Sequence, residues 1–216
     1  MNLIFVAMPY AAAAVFIAGV ILRFRREATI SSQSSQILES RALAWGSIPF
    51  HTGVFTLFLF HLIPLVAPNA WRSFVSTNLI AVESIALAAA LLCLFGLVIL
   101  LVRRIGSGPV RAGSRPTDVV ILLVLIAQVA SGIAVATMHR WGAVWWLGTT
   151  VPYLRSLIAF RPEPSYIAGI PKIVQWHLAG AWVVLALVPF TRLIHMLTIP
   201  LAYVWRPPQK VVWMRL

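Results

Sequence analysis

Two stretches decide the fold: FHTGVFTLFLFH (50–61) and WHLAGAWVVLALVPFTRLIH (176–195), each a largely apolar run that carries a histidine close to either end. Such runs belong to segments, 46–66 and 173–198, that reach the roughly 20 residues a helix needs to cross about 30 Å of hydrocarbon. Three more segments of that kind lie at 3–22, 82–102 and 118–138. Of the 216 residues, 61% are hydrophobic and 10% are charged, more apolar surface than one compact core can hide. Mean hydropathy is +0.92. The sequence therefore predicts an all-α integral membrane protein, a single membrane domain over 1–216 with five transmembrane helices.

A formal charge of +12 would suit a nucleic-acid partner in a soluble protein. Here the basic residues, all arginine but Lys172 and Lys210, sit at the edges of apolar blocks and read as topology determinants, so no nucleic acid is expected. Arg23, Arg25 and Arg26 follow the first apolar run rather than precede it, which predicts an uncleaved span with its N-terminus outside. On that basis 12 basic residues fall on the inner side (Arg23, Arg25, Arg26, Arg41, Arg103, Arg104, Arg111, Arg115, Arg192, Arg206, Lys210 and Arg215). Five fall outside: Arg72, Arg140, Arg155, Arg161 and Lys172. The excess fits five crossings with the C-terminus in the cytoplasm. Residues 141–160 are apolar as well, but Gly142, Gly148, Pro152 and Arg155 interrupt them. They are expected to lie in the outer interface, with Trp141, Trp145, Trp146 and Tyr153 as amphipathic rings at headgroup depth.

One cysteine, Cys93, excludes thiolate clusters and intrachain disulfides, and without a CxxCH run there is no covalent c-type haem. The histidines point elsewhere. An ionisable group inside a membrane span is expensive and is read first as functional, and imidazole is a common axial ligand of haem iron. His51 and His61 lie about 15 Å apart along the second span, His177 and His195 about 27 Å apart along the fifth. Because the two spans run in opposite directions, depth pairs His61 with His177 near the outer side and His51 with His195 near the inner side. The two intervals do not match, and a bend at Pro189 is the expected remedy. Eighteen residues are five helical turns, which puts His177 and His195 on one helix face. Structural histidines bonded across to a Ser or carbonyl, or a transporter's proton relay, are the competing uses. A relay would recruit buried carboxylates, and the chain has five acids in all. Of these Glu83 alone falls within a span, and Asp118 is expected to cap the fourth helix. His139, at the end of the fourth span, has no partner by spacing.

The blocks SSQILESR (34–41), FHTGVFTLFLFH (50–61), LCLFGLVILLVRR (92–104) and WHLAGAWVVLALVPFTRLIHMLTIPLAYV (176–204) resemble the gamma subunit of membrane-bound respiratory nitrate reductase, a di-haem cytochrome b. The resemblance covers nearly the whole chain. It implies two stacked haem b groups in the bundle, bound by the pairs His61 with His177 and His51 with His195. It also implies quinol oxidation at the outer side, with electrons passing inward to an iron–sulfur subunit and a molybdenum subunit on the cytoplasmic face of the inner membrane. Partners are then membrane lipid, the quinone pool and those two subunits. Arg192, three residues before His195, is the candidate for a haem propionate. His61, Glu83 and His139 are the polar groups near the expected quinol site, since the lysine common in the family toward the outer end of the third span is absent. Ser35, Gln36 and Arg41, with the basic tail, are the expected docking surface for the soluble subunits. Other readings are a related oxyanion or nitrite oxidoreductase subunit with reversed flow or a non-quinol donor, and a haem-free anchor or transporter.

Overall fold

A computed structural model describes residues 3–26 and 40–197, and every regular element among them is helical. A π-helical turn, Leu3–Ala7, leads into α1 (Met8–Arg26), followed by α2 (Arg41–Val66) and α3 (Pro68–Gly106). The short α4 (Gly108–Ala112) connects to α5 (Pro116–Met138). Short helices α6 (Gly142–Trp145), α7 (Thr150–Ile158) and α8 (Ser165–Ala168) precede α9 (Lys172–Leu187). Among the described residues five helical stretches are long and apolar enough to cross a membrane, and their limits are Ile4–Arg25, Arg41–Val66, Pro68–Gly106, Pro116–Met138 and Lys172–Phe190.

Close packing runs from α2 to α3, α3 to α5, α5 to α9 and α9 to α1. Small residues make the first contact possible: a Cβ on Gly53 would stand 2.5 Å from the Ala89 carbonyl oxygen, and one on Gly96 2.5 Å from that of Gly46. Around this seam Phe50, Cys93, Leu97 and Leu122 form a buried cluster.

α3 is longer than hydropathy predicts. It was expected over 82–102, yet it starts at Pro68, which fills the first helical position without an orphan N–H, and runs for 39 residues. At 1.5 Å per residue that is about 58 Å, well beyond the hydrocarbon core. The added turns are held by packing, since Trp71, Val75 and Val82 bury against Leu147 and Val151. A break at Asn78 (φ −122, ψ 21) interrupts the helix, and Asn78 Nδ2 donates to the Phe74 carbonyl at 2.9 Å in its place.

The fifth span differs in the other direction. A helix over 173–198 was expected, but α9 ends at Leu187, because Pro189 offers no N–H to the ladder. A 3-10 turn follows over Val188–Phe190, then an extended Thr191 (φ −125, ψ 179) and a second 3-10 segment, Arg192–Leu197. Arg23 Nη1 donates to the Pro189 carbonyl at 3.1 Å, tying α1 to this turn.

Residues 142–158 form short helices, none of spanning length, laid across one end of the bundle. Tyr153 is not the headgroup ring the sequence suggested. It is fully buried with Phe5, Leu157, Ile167 and Leu178, and its hydroxyl donates to the Phe5 carbonyl at 2.8 Å. Burial pushes that hydroxyl's pKa up to about 12, so it remains a donor. Aromatic composition marked this residue as amphipathic, and the underside of a tertiary cap is where it is used.

Candidate functional site

The four span histidines meet in two pairs. The His61 and His177 ring centroids lie 6.5 Å apart with an interplanar angle of 42°. Those of His51 and His195 lie 6.1 Å apart at 67°. Two imidazoles sharing one metal, each about 2 Å from it through a ring nitrogen, have centroids on the order of 6 Å apart. Both pairs have that spacing.

In every ring Nδ1 is held by protein. His51 Nδ1–H donates to the Ser47 carbonyl at 2.7 Å, with the Ser47 hydroxyl at 3.1 Å, and His61 Nδ1–H donates to the Leu57 carbonyl at 2.6 Å. These are i−4 carbonyls of an α-helix. His195 Nδ1–H donates to the Arg192 carbonyl at 2.6 Å, three residues back, as the tighter 3-10 turn dictates. His177 reaches across to α5, where Ser131 Oγ lies 2.9 Å from Nδ1. Orientation of a ligand imidazole through its second nitrogen is the usual arrangement at metal sites. No group of three or more His, Cys, Asp or Glu side chains suited to a bare metal ion occurs among the described residues. A two-imidazole donor set fits a metal whose other ligands come with it, as in a porphyrin.

The unequal histidine intervals are resolved by the same break that shortens α9. The expected 27 Å and shared face assumed an unbroken helix. The extended Thr191 redirects the chain, and His195 is presented from a 3-10 turn beside α2.

A comparison of the whole sequence decides the family. A sequence model described as nitrate reductase gamma subunit matches residues 1–214. The chain belongs to the nitrate reductase gamma subunit family. It is 32% identical to the nitrate reductase gamma chain of Bacillus subtilis (strain 168), over 92% of each chain. It is also 32% identical to the respiratory nitrate reductase 1 gamma chain of Escherichia coli (strain K12), over 94% of this chain and 93% of that one. A nitrate reductase-like protein NarX of Mycobacterium tuberculosis (strain CDC 1551 / Oshkosh) is 31% identical over 95% of this chain but only 33% of its own length. Family membership and five helices of spanning length make this gamma-type chain a multi-pass membrane protein, and its relatives are named as chains of nitrate reductase, an oxidoreductase.

Two further clusters flank the histidine pairs in this gamma-family chain. At the His51–His195 end Asp118, expected as a helix cap, is instead the third residue of α5 and almost fully buried. Its carboxylate accepts from Arg104 Nη1 (2.7 Å), Arg192 Nε (2.9 Å) and the Arg115 backbone N–H (3.1 Å). Arg115 is the N-cap residue and Pro116 takes the first helical position, and Asp118 caps the helix from the third position by accepting the Arg115 N–H. Sequence spacing did not find this cluster because its members come from three separate elements. Arg192 thus has its Nε on Asp118.

At the other end the segment after α5 gathers the remaining candidates. Glu83 Oε1 accepts the Ala143 N–H at 2.7 Å, while Trp71 Nε1 donates to the Ala143 carbonyl at 3.2 Å. One turn on, the Trp146 ring stands edge-on to His61, with centroids 5.4 Å apart. The carbonyl of His139 accepts from Trp145 Nε1 at 3.3 Å. A groove of about 200 Å³ is lined by Ile80, Glu83, Ser84, Leu87, Ala136, Arg140 and Trp141. His139 does not line it. Arg140 covers the face of Trp141 at 4.9 Å. Arg41 is the exposed first residue of α2, whereas Ser35, Gln36 and the basic tail lie outside the described residues.

Proposed function

We propose that the chain is the di-haem cytochrome b subunit of a nitrate reductase complex, with one haem b between His61 and His177 and a second between His51 and His195. The observation that carries this is the pair of ring separations, 6.5 and 6.1 Å, each of the size two axial imidazoles require. Bound there, haem iron supplies one-electron transfer along the bundle. The chain's own part is to present the rings: a carbonyl holds Nδ1–H of His51, His61 and His195, leaving Nε2 as the ligand nitrogen. Arg192, beside His195 and braced by Asp118, is the cation for a propionate of the second haem.

The electron donor in this reading is a quinol at the His61–His177 end, which the charge balance puts outside. The groove at Glu83 offers apolar walls for the ring and a carboxylate to take its proton, and the short segment 143–146 links that carboxylate to His61. His139 acts there only as part of the turn. Electrons then move inward to an iron–sulfur subunit and a molybdenum subunit on the cytoplasmic face of the inner membrane. Each inward electron moves charge across the potential, worth about 2.3 kcal/mol per 100 mV. Docking of those subunits falls to the inner loop and tail, with Ser35, Gln36 and Arg41.

A reduced-minus-oxidised spectrum with a redox titration of the purified complex tests the proposal. Two b-type components are expected. Replacing His61 or His177 should remove one, and replacing His51 or His195 the other. Absence of any b-type absorption, or loss of the same component from His51 and His61 variants, refutes it.

A further inference from the structure

Nδ1 of His51, His61 and His195 lies against a carbonyl of its own helix or turn, and a carbonyl can only accept. The proton is thereby fixed on Nδ1. His177 lies instead against a hydroxyl of a neighbouring helix, and a hydroxyl can donate or accept. A second group leans the other way: the Gln128 amide Nε2, a donor, approaches Nδ1 to 3.3 Å and favours the tautomer whose proton sits on Nε2.

Two bonds settle the choice. Ser131 Oγ–H donates to the Gln128 carbonyl at 2.8 Å, so the lone pair of Oγ is what faces the ring at 2.9 Å. The Gln128 amide in turn donates to the His177 carbonyl at 2.9 Å, a better contact than its approach to the ring. Close seating enforces the arrangement. A Cβ on Gly132 would stand 3.0 Å from His177 Cε1, and one on Gly180 would collide with Gln128 Oε1.

We propose that Ser131 is a positioning residue that holds His177 in the Nδ1–H tautomer and sets the strength of its Nε2 as an iron ligand, tuning the His61–His177 centre independently of the His51–His195 centre. The inference rests on the di-haem reading. An acceptor on Nδ1–H makes the ring more basic, favours oxidised iron and lowers the reduction potential. Without it the potential rises.

The test is a redox titration of the intact complex carrying Ser131→Ala or Ser131→Thr, followed by visible spectroscopy of both b-type components. In Ser131→Ala the component assigned to His61–His177 should shift upward by about a tenfold change in its reduced-to-oxidised ratio at fixed ambient potential, about 59 mV for one electron. The other component should stay in place, and Ser131→Thr, which keeps the hydroxyl, should behave as wild type. Selective loss of that component from the Ala variant but not from the Thr variant also supports the inference. An unmoved potential in Ser131→Ala, equal movement of both components, or a Thr variant that behaves like Ala overturns it. A wild-type complex without two b-type components removes the di-haem reading and this inference with it.

Discussion

Removing the Asp118 carboxylate should be among the most damaging single changes at the His51–His195 end of the bundle. The side chain is 4% exposed, and it joins α3, α5 and the 3-10 segment through Arg104 and Arg192. Asp118→Ala leaves two guanidinium groups facing each other and frees the Arg115 N–H. Breaking a buried pair by deleting one partner costs about 3–5 kcal/mol. Arg192 is 34% exposed and can turn toward water, which pulls the figure to about 3 kcal/mol. For a chain of this size that corresponds to a melting temperature lower by roughly 10 °C. Asp118→Asn keeps an acceptor oxygen but not the charge and should lose about half as much. Thermal unfolding in detergent, run as a double-mutant cycle with Arg104→Ala, measures the coupling directly. A shift below about 2 °C for Asp118→Ala, or no coupling in the cycle, refutes the idea that this carboxylate is the joint.

Glu83 holds the Ala143 N–H and, in the proposed reading, also takes the quinol proton, so Glu83→Gln should preserve the bond to Ala143 and the melting temperature while lowering quinol-dependent turnover by at least about tenfold, in the range of a lost general base. An unchanged rate in a steady-state assay with a quinol analogue argues against this groove as the donor site. Tyr153→Phe deletes one buried hydrogen bond to Phe5 and should cost about 1 kcal/mol, seen as a melting temperature lower by about 2–4 °C. Equal melting temperatures for the two proteins would mean that the hydroxyl does not secure the N-terminal turn.

Much of the architecture was legible because hydrocarbon imposes a simple rule. An apolar run of about 20 residues must be helical to satisfy its own backbone, so composition and length alone located the five spans. Opposite chain directions then sorted the four histidines by depth, and the ring separations in the structure match the pairs so obtained. The residues around them were not legible. Ser131 and Gln128 carry no motif; they matter because α5 brings them beside His177, 46 and 49 positions away in sequence.

The sequence by itself determined which segments are long and apolar enough to cross a bilayer and which histidines were expected to pair, since both follow from hydropathy and the alternating direction of successive spans. The tertiary structure decided what holds His177 and how His195 is presented, whereas His51 and His61 are held by carbonyls of their own helix. Pro189 ends α9 and a 3-10 turn presents His195. The polar partners, Ser131 to His177 and Asp118 to Arg104 and Arg192, come from different helices. Periodicity within one helix records which residues face the same way. It does not record which residue of another helix will be waiting there, because that depends on how backbones approach at small residues such as Gly53 and Gly96.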